Sequence, residues 1–173
     1  AIMLTGSHNP SEYNGFKMVF NKHSFFAEDI QSLQRLLDNN ELELAVGQII
    51  NQDITKEYIE RDLLNISLNR KLKIAWDPGN GVMGKVTREI TEQLINSENI
   101  IINEEVDGNF PNHHPDPTVP KNMIQLIEAV KENNCDIGLA FDGDGDRLGV
   151  IDNLGNIVWA DQYMLLLCLE IAK

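Results

Sequence analysis

At 173 residues, with 42% hydrophobic and 24% charged side chains, the chain has the composition of a folded globular protein with room for one or two domains. A net charge of -13 excludes the broad basic face with which nucleic acid or an anionic membrane is usually met, so an anionic substrate would have to be drawn in by local positive groups. No apolar run reaches the length of a membrane span and no signal peptide is visible, and Cys135 and Cys168, outside any CxxC pattern, read as reduced core residues of a cytoplasmic protein.

Ala1–Leu4 reads as a buried strand that runs straight into the polar loop Thr5-Gly6-Ser7-His8-Asn9-Pro10. A domain seldom begins at its own functional loop, so the chain is expected to be a piece of something longer. Phe16–Phe20 alternates as a second strand. Ala27–Asp38 carries Ile30, Leu33, Leu36 and Leu37 at helical spacing, and Ile54–Leu68 predicts a second helix with Tyr58, Ile59, Leu63 and Ile66 on one side, capped by Asp53. A domain boundary is expected near Gln52.

From Leu72 the pattern becomes strand (Lys73–Trp76), turn (Asp77–Gly81), helix (Val82–Ile95) and strand (Ile100–Asn103), the order of a β-α-β unit. The stretch 107–120 holds Pro111, Pro115, Pro117 and Pro120 and reads as irregular, and Lys121–Asn133 as helix. Asp136–Phe141 is a strand, followed by short strands Leu148–Ile151 and Ile157–Trp159 around a turn at Asn153–Asn156, and a closing helix Ala160–Lys173. The fold class is therefore α/β, a mixed sheet with helices on both faces.

The strand at Asp136–Phe141 delivers Asp142-Gly143-Asp144-Gly145-Asp146-Arg147. Alternating carboxylates repel one another unless a cation or an arginine offsets them, and the intervening glycines let the backbone curl so that they converge. Hard oxygen ligands of this kind suit Mg2+ or Ca2+. The EF-hand reading fails: counting from Asp142, Arg147 stands where that loop needs glycine and Asn153 where it needs glutamate. Ser7 beside His8 invites a hydrolase reading, but Thr5 and Asn9 occupy the glycine positions of a nucleophile elbow. Asp77–Gly81 could cradle phosphate with backbone amides, yet it lacks GxGxxG spacing and a P-loop lysine, so a structural turn is favoured. His113 and His114, adjacent in a proline-rich loop, lack an i, i+4 partner and also read as structural.

Taken together, Thr5–Pro10, Tyr13-Asn14-Gly15-Phe16-Lys17, Asp77–Gly81, Asp107-Gly108-Asn109-Phe110-Pro111 and Asp142–Arg147 resemble, in this order and over nearly the whole chain, the α-D-phosphohexomutase superfamily. The Gly6 form of the serine loop with its Tyr-Asn-Gly-Phe-Lys continuation looks most like the bacterial phosphomannomutase/phosphoglucomutase branch. The resemblance implies a four-domain α/β enzyme converting hexose 6-phosphate and hexose 1-phosphate through a phosphoserine and a hexose 1,6-bisphosphate. It makes Ser7 the phosphoserine, and Asp142, Asp144 and Asp146 the Mg2+ ligands, with Ser7 phosphate as a further one. Arg147 becomes a phosphate-binding arginine, and His8 and Lys17 the groups that stabilise charge or move protons beside the phosphoserine. It further implies that residues 1–52 end a first domain, 53–156 form a second and 157–173 open a third, and that the sugar-recognising domains of the same chain lie outside this sequence. The phosphorylated hexose is then the expected partner. The rival readings are a non-catalytic divalent-cation module, a phosphoglucosamine mutase of the same superfamily, and a phosphatase that also holds Mg2+ on aspartates.

Overall fold

The computed structural model describes every residue except 42–44 and 173, and these residues form two compact units. The first takes Ala1–Thr5 with Tyr13–Asp53; the second takes Gly6–Glu12 with everything from Ile54 onward.

In the first unit, β1 (Ile2–Leu4), β2 (Phe16–Phe20) and β3 (His23–Phe25) form an antiparallel sheet in that order, with Met3 opposite Lys17 and Met18 opposite Phe25. Strand β3 was not expected. Asn21 and Lys22, both at positive φ (49° and 66°), make the two-residue turn whose twist suits a hairpin. Helix α1 (Glu28–Asp38) follows, much as its spacing predicts. Strand β1 is a strand but not a buried one, since Ile2 is 69% and Leu4 65% exposed. Ile2, Leu33 and Leu36 instead line an open apolar groove of this unit.

The second unit begins its regular structure with α2 (Thr55–Leu63), which is shorter than expected. Ile54, not Asp53, takes the N-cap position, and a tight Leu64 N–H to Arg61 carbonyl bond closes the last turn. Ile59 is fully buried, whereas Ile66, expected on the same face, is exposed beyond the helix end.

A five-stranded sheet then forms from β4 (Leu72–Asp77), β5 (Ser97–Ile101), β6 (Ile137–Phe141), β7 (Leu148–Asp152) and β8 (Ile157–Val158), in the order β5-β4-β6-β7-β8. Strands β4, β5 and β6 are parallel; β7 and β8 add antiparallel. Strand β5 starts earlier than its apolar run suggests because Ser97, Glu98 and Asn99 pair with Leu72, Lys73 and Ile74 at the sheet edge, where polar residues are tolerated and Glu98 meets Lys71 and Lys73.

Helix α3 (Met83–Gln93) links β4 to β5, and α4 (Ile124–Asn133), after a short 3₁₀ turn at Pro120–Met123, links β5 to β6. These two crossovers run in opposite directions along the sheet, so the right-handed rule puts the helices on opposite faces. The point where the direction reverses lies between the C-terminal ends of β4 and β6, the position where open α/β sheets bind their ligands. Under α4 the core gathers Ala75, Met123, Leu126, Ala129, Val130, Cys135, Ala140 and Ile151.

Helix α5 (Ala160–Ile171) ends the described chain. Cys135 is buried as expected, but Cys168 is exposed: α5 is apolar nearly all round, and Met164, Leu165, Leu167 and Leu169 are exposed with it. Among the described residues no helix is long and apolar enough to cross a membrane.

Candidate functional site

The loop Asp142–Arg147 joins the antiparallel strands β6 and β7 at the reversal point, a hairpin and not the helix-flanked loop of a calcium hand. Asp142 folds it. Its Oδ1 accepts the Arg147 backbone N–H at 3.1 Å and its carbonyl accepts the Gly145 N–H at 3.1 Å, with Gly145 at φ 78°. Asp142 is fully buried, Asp144 half-buried and Asp146 exposed, and one carboxylate oxygen from each lies within 4.8 Å of the others. An all-oxygen set of this kind fits a hard divalent cation, and mutual repulsion of the carboxylates favours one.

Ser7, 135 residues before Asp142 in sequence, sits over this triad. Its Oγ donates toward Asp142 Oδ2 at 3.1 Å and Asp144 Oδ1 at 3.2 Å, and lies 3.1 Å from His8 Nδ1. One hydroxyl proton thus faces three acceptors, the surroundings an oxygen would have if it were to share a cation with the carboxylates or carry a group in place of its proton. Ser7 also adopts φ 53°, a conformation uncommon for a residue with a side chain. Its carbonyl occupies the space where residue 143 would carry a Cβ, so glycine is required there for the two loops to meet.

Arg147 binds the assembly together with all three guanidinium nitrogens. Nε is 3.5 Å from Asp142 Oδ2, Nη1 is 3.5 Å from Asp116 Oδ1 and Nη2 is 3.0 Å from His8 Nδ1. A guanidinium can only donate, so His8 Nδ1 is the acceptor in that bond, and its one lone pair is shared between Arg147 and the Ser7 hydroxyl. The His8 ring stands edge-on to His114 at 5.7 Å. The structure therefore brings Ser7, His8, Asp142, Asp144, Asp146 and Arg147 together in the second unit. Lys17 stands exposed on β2 of the first unit.

Beneath the triad lies the turn Asp77–Gly81, a structural element as expected, but one with a definite task. Asp77, fully buried at the end of β4, accepts the Gly79 N–H at 2.9 Å and Asn103 Nδ2 at 3.0 Å on Oδ1, and His113 Nε2 at 2.8 Å on Oδ2. Val82 N–H bonds the Gly143 carbonyl at 3.1 Å, and a Cβ on residue 81 would come within 2.8 Å of that same oxygen. The turn is thus the floor on which the aspartate loop rests. Asn80, at φ 61°, ties it to the proline-rich stretch through Glu105 and Asn112.

Sequence reasoning passed over Asp116 and gave His113 no partner. The signals were there in retrospect: Asp116 lies between two prolines, in a loop that could only be rigid, and Asp77 is an acid at the C-terminal end of a buried strand, where an unpaired carboxylate is costly.

Among known proteins, the phosphoglucomutase/phosphomannomutase alpha/beta/alpha domain II matches residues 55–155, and alpha/beta/alpha domain I of the same family matches residues 1–43. A phosphomannomutase/phosphoglucomutase of Pseudomonas putida is 48% identical over 170 residues, which cover 98% of this chain and 36% of that protein. A phosphoglucomutase of Neisseria meningitidis serogroup B is 42% identical over 172 residues, covering 98% of this chain and 37% of its own length. The crystal structure of a phosphoglucomutase/phosphomannomutase family protein from Burkholderia thailandensis superposes with a TM-score of 0.91 at 40% identity, over 98% of this chain and 37% of that one. The chain therefore spans a little over a third of the relatives it matches, and with both domain matches in order along its length it belongs to the phosphoglucomutase/phosphomannomutase family.

Proposed function

We propose that this chain carries the phosphoryl-transfer centre of a phosphohexomutase that interconverts hexose 6-phosphate and hexose 1-phosphate, with Ser7 as the residue that carries the phosphoryl group. The observation that supports it is Ser7 Oγ set 3.1 Å from Asp142 Oδ2, 3.2 Å from Asp144 Oδ1 and 3.1 Å from His8 Nδ1.

In the first half-reaction the bond between phosphorus and Ser7 Oγ breaks as a sugar hydroxyl oxygen bonds to the phosphorus; that hydroxyl loses its proton and Ser7 Oγ gains one. The product is a hexose 1,6-bisphosphate. In the second half-reaction the bond between the other phosphorus and its sugar oxygen breaks as Ser7 Oγ bonds to that phosphorus; Ser7 Oγ gives up the proton it had gained and the freed sugar oxygen takes one. His8, whose Nδ1 lies 3.1 Å from Ser7 Oγ, is assigned the taking and return of that proton, with Arg147 giving up its bond to Nδ1. Arg147 supplies fixed positive charge beside the transferring oxygens, where phosphoryl transfer gains most. Lys17 is assigned a second such charge. Asp142, Asp144, Asp146 and a Ser7 phosphate oxygen would hold Mg2+, which when bound neutralises and polarises the phosphate.

On this reading residues 1–52 end a first domain, 53–156 make a second and 157–173 open a third, and recognition of the sugar belongs to domains beyond this chain. The cytoplasm, where sugar phosphates are found, is the assigned location. Intact-mass measurement of the full-length protein after incubation with Mg2+ and glucose 1,6-bisphosphate tests the reading. One added phosphoryl group, lost in Ser7→Ala, together with isomerisation of glucose 1-phosphate or mannose 1-phosphate, is the expected result. An unmodified Ser7 with neither sugar phosphate isomerised would sink it.

A further inference from the structure

We propose that Asp116 is a positioning residue for Arg147, holding the guanidinium beside the aspartate triad while keeping it from falling into it. The inference rests on the phosphomutase reading of the site and deepens it.

Arg147 is adjacent in sequence to Asp146 and hangs next to three carboxylates that attract it. Left to that attraction alone, a guanidinium would fork onto the triad and occupy the place of a cation. In the structure Nε approaches Asp142 Oδ2 at 3.5 Å, while Nη1 is drawn the other way, 3.5 Å from Asp116 Oδ1, and Nη2 points at His8 Nδ1, 3.0 Å away.

Asp116 is fitted for that pull because it is itself immobilised. Its Oδ1 accepts the Thr118 N–H at 3.1 Å and the Thr118 hydroxyl at 2.7 Å. Its backbone N–H bonds the His114 carbonyl at 2.9 Å, and its carbonyl accepts Nδ2 of the buried Asn122 at 2.9 Å. Its side chain is 15% exposed. A carboxylate fixed in this way loses little conformational entropy in making the ion pair, unlike an ordinary surface acid. Asp116 meets Arg147 at Nη1, 3.5 Å away, and it is through that guanidinium that its influence travels.

Asp116→Asn keeps an oxygen for Thr118 and removes the charge. In the full-length protein it is expected to lower kcat/KM for glucose 1-phosphate roughly tenfold. It should also raise the Mg2+ concentration needed for a given thermal shift, because the released guanidinium then competes for the triad. In the Arg147→Ala background the same substitution should do nothing further, and Asp116→Glu should recover most of the loss. A merely structural role for Asp116 would move neither the Mg2+ dependence nor the coupling to Arg147. A wild-type Asp116→Asn, a loss that multiplies in full onto Arg147→Ala, or an Asp116→Glu no better than Asp116→Asn overturns the inference while leaving the site reading intact. A fully active Arg147→Ala would instead strike the site reading, and this inference with it.

Discussion

His113 donates from Nε2 to the buried carboxylate of Asp77 at 2.8 Å, and its other ring nitrogen, Nδ1, lies 3.0 Å from the His114 carbonyl. Both partners are acceptors, so both nitrogens are best satisfied when each carries a proton, as in the imidazolium. The pair bolts the proline-rich stretch to the end of β4, directly under the turn that supports the aspartate loop. It is a remote brace for the aspartate loop.

That arrangement makes the brace sensitive to pH. Burial alone would lower the His113 pKa, but the hydrogen bond and charge of Asp77 and the His114 carbonyl outweigh it and raise the pKa above its ordinary value. A group whose folded pKa is raised contributes stability that is fully present below the unfolded value, about 6.5 for histidine, and is lost as pH rises through the folded value. The melting-temperature gap between the wild type and His113→Asn should therefore be widest in mild acid and narrow above neutrality. The His113 Cε1 proton, followed by NMR, should titrate above the usual histidine midpoint. A gap that widens with pH would contradict the assignment.

Gly143 gives a second test, because the Ser7 carbonyl stands where its Cβ would be. Backbone cannot swing aside as a side-chain tip can, so Gly143→Ala must push the serine loop off the triad at a cost of about 1–3 kcal/mol. Phosphate incorporation at Ser7 should fall sharply. Gly108→Ala is the control: its nearest neighbour would be Ser11 Cβ at 3.8 Å, an ordinary contact, and both stability and Ser7 labelling should stay as they were.

Core packing under α4 supplies a third. Leu126 is fully buried against β4 and β6, whereas Ile124, on the same helix, is 51% exposed. Leu126→Ala should cost about 2–5 kcal/mol of unfolding free energy, for lost burial plus the cavity left behind. Ile124→Ala should cost well under half of that in the same denaturation measurement.

How much of this was legible in the sequence depends on the range of the interaction concerned. The alternation of strands and helices from Leu72 onward, and the convergence of Asp142, Asp144 and Asp146, follow from local rules of period and glycine spacing, and the structure has them. Strand β3 escaped because its turn, Asn21-Lys22, places a lysine at positive φ, where glycine is the usual sign of a hairpin. Helix α2 is shorter than its apolar spacing predicts, because that spacing continues through Ile66 after the hydrogen-bonded helix has closed at Leu63. Strand β5 begins before its apolar run because its first residues are polar and gain their place from pairing with β4, a tertiary fact. Burial of Ile2, Leu4 and Cys168 was inferred from residue type, which cannot say whether a neighbouring layer is present to cover them. Asp116 and His113 lay hidden for a related reason: each matters through one partner, Arg147 or Asp77, brought near by topology and not by spacing.

The graded burial of the triad separates its folding role from the cation role proposed for it. Asp142 is fully buried and holds the loop through the Arg147 N–H, while Asp146 is exposed. Adding Mg2+ to the full-length wild type should raise its melting temperature, since a ligand at one hundred times its dissociation constant stabilises by about 2.7 kcal/mol, and EDTA should reverse the shift. Asp146→Asn, at an exposed position, should abolish the Mg2+ response while lowering the melting temperature in EDTA less than Asp142→Ala does. Asp142→Ala should abolish the response and also lower the melting temperature in EDTA, because the Arg147 amide loses its acceptor inside the loop, at about 1–3 kcal/mol for a buried unsatisfied donor. Differential scanning fluorimetry across a Mg2+ series reads all of these. Equal melting temperatures for the two variants in EDTA would mean that Asp142 does not hold the loop, and an undiminished Mg2+ shift in either would place the cation elsewhere.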